Sequence, residues 1–147
     1  MEKQYITILT ESLQKKSEVL SQLIDNSRKQ AELLKADRVD WDAFDQRTDA
    51  KSDLIKELNG LDQGFESVFS HVSELLQSPE GKKLYADQIR GLQALVTEVT
   101  DKSIELQADE ARNKTAVEKR FQECRGEIRW AGRCRQISPI AVRIHGR

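Results

Sequence analysis

LIKELNGLDQGFESVFSHVSELL, residues 54–76, carries its apolar side chains in a helical rhythm. Leu54, Leu58, Leu61, Phe65, Val68, Val72 and Leu75 follow one another at steps of four, three, four, three, four and three. Those steps keep one face of an α-helix apolar, whereas a strand would repeat every second residue. Ile55, Phe69 and Leu76 widen the stripe. A stripe this wide suits a partner on either side, so a three-helix bundle is expected rather than a two-stranded coil. Gly60 and Gly64 each cost a helix roughly 1 kcal/mol relative to Ala, which marks them as the place for a bend or break.

Working upstream, Asp40 has the chemistry of an N-cap, because its carboxylate can accept from the unpaired backbone N–H groups of a first turn. Val39 and Phe44 have the spacing of a hydrophobic staple across that cap. Helix two is therefore predicted over 41–76. Before it, Ile6, Leu9, Leu13, Leu20, Leu23 and Leu34 fall on heptad core positions, with Lys16, Ser27 and Gln30 on the remaining ones. This predicts helix one over 3–35, with Glu11 and Lys15 as a surface pair. The stretch 36–40 is the turn.

Downstream, Ser78-Pro79-Glu80 combines a good N-cap, a proline suited to the first turn and a carboxylate that complements the helix dipole. The third stripe includes Tyr85, Ile89, Leu92, Val96, Val99, Leu106, Val117 and Cys124, with Ser103, Glu110, Asn113 and Arg120 on its polar positions. No proline intervenes before Pro139. Helix three is predicted over 79–130. The fold class is thus all-α: long antiparallel helices in a three-helix bundle or coiled coil, with an extended third helix. Residues 1–130 form the helical domain, and 131–147 form a basic, disordered or irregular tail.

Composition agrees. The 147 residues are 33% charged and 37% hydrophobic, with 7 Gly and 2 Pro. That excludes turn-rich all-β folds and low-complexity chains. The net charge of −1 is unevenly spread: residues 129–147 hold five Arg and no acid, leaving the rest at −6. No apolar run approaches the ~20 residues of a membrane span. Residues 1–30 lack the pattern of a signal peptide. Cys124 and Cys134 make neither a disulfide framework nor a zinc signature, so a reducing cytoplasm is the expected location.

Catalytic signatures are missing. There is no phosphate-cradling glycine loop, no H-E-x-x-H and no Glu-x-x-His pair, so neither a cofactor nor a metal is expected, and no enzyme. His71 reads as a solvated histidine. Asp37, Asp40, Asp42, Asp45 and Asp49 read as a dipole-complementing cluster near a helix start.

Lengths point to a binding surface. At ~1.5 Å per residue helices one and two are roughly 50 Å long and helix three about 75 Å. Helix three is expected to pass the 36–40 turn near Asn113. Beyond it Val117, Phe121, Cys124 and Ile128 form an apolar stripe without a partner in the chain, with Trp130 beside it. An apolar stripe on a projecting helix invites a partner. The alternative is that helix three breaks near 110–113 and folds back. The same register gathers Ser27, Gln30, Thr48, Lys51, Ser103 and Glu110 at one end. That end is expected to be less well packed than the one holding Phe65, Phe69 and Val96, its polar residues setting register or leaving room for a partner.

The order and spacing of several strings resemble the flagellar export chaperones of the FlgN type, which overlap with the FliT type, in the version of Clostridia-like bacteria. These are Asp42-Ala43-Phe44-Asp45, Lys51 with Leu54-Ile55, Leu61-Asp62-Gln63-Gly64-Phe65-Glu66, Thr100-Asp101-Lys102 and Glu110-Ala111-Arg112-Asn113-Lys114, and the resemblance runs from Tyr5 to Ile128. It implies a small, cytoplasmic, all-helical chaperone without enzymatic activity. Such a protein binds a terminal helix of a hook–filament junction subunit, or of the filament cap protein, and delivers it unassembled to the flagellar type III export apparatus. The resemblance places cargo binding on the C-terminal amphipathic helix. Here Trp130-Ala131-Gly132-Arg133-Cys134-Arg135 runs into Pro139 without the Tyr-containing segment that relatives carry. Two other functions compete. One is a coiled-coil adaptor that self-associates through the same stripe. The other is a nucleic-acid-associated protein using its Arg tail, of which only weak, sequence-independent binding is expected.

Overall fold

The structure, a computed structural model, describes residues 2–127, and side chains as far as Glu123. Four helices follow one another: α1 (Glu2–Leu34), α2 (Trp41–Gln77), α3 (Pro79–Leu84) and α4 (Ala86–Glu127). No strand occurs among the described residues. The all-α expectation therefore holds, and the predicted bounds of the first two helices hold to within a residue. α2 passes unbroken through Gly60 and Gly64, where a Cβ would meet nothing within 4 Å.

The local signals act as expected at the start of α2. Asp40 Oδ1 accepts from the Ala43 N–H at 3.1 Å. Val39 and Phe44 are buried together in one cluster. Lys15, however, lies 3.8 Å from Glu18 and from Glu57 rather than pairing with Glu11.

The predicted third helix is instead two helices. Ser78 Oγ accepts from the Gly81 N–H at 3.0 Å and donates to the Leu75 carbonyl at 2.7 Å. This folds the chain back so closely that a Cβ on Gly81 would stand 1.7 Å from the Leu75 carbonyl oxygen. Tyr85, at φ −110° and ψ 27°, leaves helical geometry while its N–H closes α3 on the Gly81 carbonyl. α4 starts afresh at Ala86. The end of the predicted helix, residues 128–130, and the whole 131–147 tail lie outside the described residues.

The contacts divide into two compact units. Unit 1 comprises Met1–Gln22 and Leu54–Ile104; unit 2 comprises Leu23–Asp53 and the chain from Glu105 onward. In unit 1, Tyr5 stacks on His71 and Lys16 reaches Asp62, so α1 and α2 are antiparallel. Its core joins Ile6 and Leu9 to Val72 and Leu76. In unit 2, Gln30 bonds Thr48, Asn113 bonds the Ser27 carbonyl, and Lys51 bonds Glu110. There α2 is antiparallel to α1 and α4, which run parallel to each other. α1 buries more than its heptad stripe: Val19 and Ile24 are covered as well, because two helices pack on it.

Candidate functional site

Among the described residues no three His, Cys, Asp or Glu converge on one point where a metal ion would sit. His71 is an exposed ring stacked on Tyr5, 5.4 Å between centroids. Asp40 is a helix cap. The surfaces to consider are apolar ones.

The end of α4 was expected to outrun its neighbours from Asn113 onward. The structure corrects this. Asn113 is buried and donates to the Ser27 carbonyl at 2.8 Å. Arg120, about two turns further along, is the residue that reaches the turn, donating to the Asp37 carbonyl at 2.7 Å. The cause is α3, whose residues are spent before α4 takes its place beside α1. Val117 therefore lies fully buried with Leu34, Val39, Trp41 and Phe44. Phe121 is half-buried, its ring 5.3 Å from that of Trp41. These two residues have partners inside the chain. Helix three does not fold back either: α4 is continuous through 110–113. Cys124 falls on the last turns of α4 with its side chain outside the described residues, and Ile128 and Trp130 lie wholly outside them.

The polar positions of unit 2 bond to one another in two groups, Gln30 with Thr48 and Lys51 with Ser27 and Glu110, while Gln30 Oε1, Asp45 Oδ1 and Asp109 Oδ2 are buried without a hydrogen-bond partner among the described residues. Gln30 Nε2 donates to Thr48 Oγ1 at 2.8 Å and to the Phe44 carbonyl at 3.2 Å. Lys51 Nζ donates to Glu110 Oε1 at 2.7 Å, and Ser27 Oγ donates to the same oxygen. Ser27, Gln30, Thr48 and Lys51 are all buried. Ser103 stands apart, bonding the Val99 carbonyl of its own helix. A cleft of about 330 Å³ in unit 2 is edged by Arg28, Lys35, Asp109 and Arg112. Its cations are already paired, Arg28 with Glu105, Arg112 with Asp109 and Lys35 with Glu32.

A groove of about 400 Å³ in unit 1 has Leu9 and Leu13 of α1 for its floor, Phe65 and Phe69 of α2 on one wall, and Leu92 and Val96 of α4 on the other. Phe65 and Phe69 stack at 5.8 Å. Val96, expected in the core stripe, is 48% exposed. All six large hydrophobic residues that stand exposed among the described residues belong to this unit. The reason is geometric: three helical segments cannot cover both edges of stripes as wide as those of α2 and α4.

The model of the FlgN protein family matches residues 1–129. The chain belongs to the FlgN family. No curated protein and no solved structure matches it. FlgN proteins are flagellar export chaperones that bind flagellar substrate proteins, and the family is not one of enzymes. The FlgN match takes in all four helices and stops where the acid-free, Arg-rich stretch begins. No described helix of this FlgN chain is long and apolar enough to cross a membrane.

Proposed function

We propose that this chaperone works in the cytoplasm, binding a terminal amphipathic helix of a hook–filament junction subunit. It holds that subunit unassembled and passes it to the flagellar type III export apparatus. The family match over the whole helical body carries this reading. A helix that must not pair with its own kind is kept soluble by covering its apolar face, which a helical protein does by offering an apolar face of its own.

The contact is placed at the end of α4 and just beyond it, on Phe121, Cys124, Ile128 and Trp130. Val117 is not part of this surface, because it is fully buried. Phe121 keeps an accessible edge while leaning on Trp41, so a partner there would extend the aromatic cluster of unit 2. The filament cap subunit is the second candidate cargo.

Calorimetric titration of the full chain with purified junction and cap subunits tests the reading. Binding to a junction subunit, weakened by Ile128→Asp or Trp130→Asp at unchanged helix content, is the expected result. No binding to either subunit would refute it.

A further inference from the structure

Beyond the residues that line the groove of unit 1, α2 and α4 carry further exposed apolar residues along the same edges. Ile55 stands two heptads before Phe69 on α2, and Ile104 eight residues after Val96 on α4, so each pair shares an edge of its helix. All four are exposed, from 36% for Phe69 to 60% for Ile104. From Gly91 to Thr97 α4 carries no charge, in a chain that is 33% charged. Midway between Ile55 and Phe69, at the same heptad position, stands Asp62. Lys16 emerges from a core position of α1 to bond it at 2.6 Å, and the carboxylate remains 45% exposed.

Two features say what covers the seam, the groove together with these edges. The groove is concave, with helices for walls and a helix for its floor. A second copy meeting it through the same face would set groove against groove and fill neither. A single helix laid in it would complete a four-helix bundle over unit 1. The Asp62 carboxylate then sits in the middle of the contact. Wholly apolar cover would strip its water and leave it with Lys16 alone, which is costly. A cationic residue on the incoming helix would supply the missing donors.

We propose that the seam holds a helix of the exported subunit, apolar at heptad spacing and carrying an Arg or Lys at its centre against Asp62. From Ile89 to Ile104 the wall is roughly 22 Å long at ~1.5 Å per residue, so the bound segment has about 15 residues. This site rests on the chaperone reading above. It is separate from the contact at the end of α4.

The test uses the full chain, with calorimetric titration of intact junction and cap subunits and sedimentation of the chaperone alone. Val96→Asp and Ile104→Asp change exposed residues, so circular dichroism should report an unaltered fold. Each should weaken subunit binding at least about tenfold. Asp62→Asn should weaken it less and flatten its dependence on salt. If the native chain binds and both aspartate variants bind within about twofold of it, the seam is not a subunit site, while the chaperone reading stands. If the native chain binds neither subunit, both readings fail. If the native chain sediments as a dimer that Val96→Asp dissociates without changing subunit affinity, a second copy covers the seam and the inference is overturned.

Discussion

Lys51 Nζ donates to Glu110 Oε1 at 2.7 Å, and the lysine is only 5% exposed. The pair ties α2 to α4 within unit 2, and Ser27 ties α1 to the same carboxylate. Removing one partner strands the other. Glu110→Ala should cost about 2–4 kcal/mol, because it leaves a buried ammonium uncompensated. Lys51→Met with Glu110→Leu should recover most of that loss, since apolar residues of similar volume replace a buried pair nearly neutrally. Urea unfolding of the two variants decides it. Equal losses would mean the pair acts through packing alone.

Glycine substitutions should separate by place. Gly81→Ala drives a Cβ into the Leu75 carbonyl and should destabilise the chain by about 2–3 kcal/mol. Gly60→Ala meets nothing within 4 Å in a helix interior and should stabilise it by up to about 1 kcal/mol. Thermal melts should therefore move in opposite directions.

Phe121→Asp should lower the unfolding midpoint, because the ring packs on Trp41 beside a fully buried Val117. Val117→Ala should cost about 1–2 kcal/mol as the cavity it leaves is shared with Leu34 and Phe44. A Phe121→Asp protein as stable as the parent would mean that α4 stands clear of Trp41 in solution.

Asp25 should titrate below the ordinary aspartate range. Its hydrogen bond to Lys29, at 2.9 Å, is the main cause, with the charges of Lys29, Arg47 and Arg28 adding to it. A lowered folded pKa stabilises the fold above the unfolded value, and that contribution disappears as pH falls through the folded one. Lys29→Gln should return the carboxyl toward its usual value in an NMR titration. The effect on stability should be slight, since the group is exposed.

The helices were legible because spacing and caps are local: the alternating threes and fours over 54–76 and the carboxylate of Asp40 sit within a few residues of what they determine. The division at Tyr85 was not. Ser78-Pro79-Glu80 announces a helix start, and neither Gly nor Pro stands at 85 to announce an end. The approach of Gly81 to the Leu75 carbonyl belongs to the start of α3, and no residue type at 84–86 marks its end. Missing that end displaced α4 by about two turns against α1 and set Val117 and Phe121 outside the body.

Periodicity also overrated the cover on Val96. It marks which residues share a face and not whether a neighbour reaches that face, so Phe69 and Val96 read as core. The polar residues Ser27, Gln30, Thr48 and Lys51 were visible at core positions. Their mutual bonding was not, because each partner comes from a different helix.

α1 is one uninterrupted helix, yet its halves have different surroundings. Residues 2–22 supply Leu9 and Leu13 to the open groove of unit 1, and residues 23–34 supply Leu34 to the aromatic cluster and Ser27 and Gln30 to the buried polar bonds of unit 2. Amide exchange follows how readily a segment opens rather than where a helix begins and ends. Deuterium uptake should therefore fall sharply near Leu23, with no loop or proline at that point to mark it.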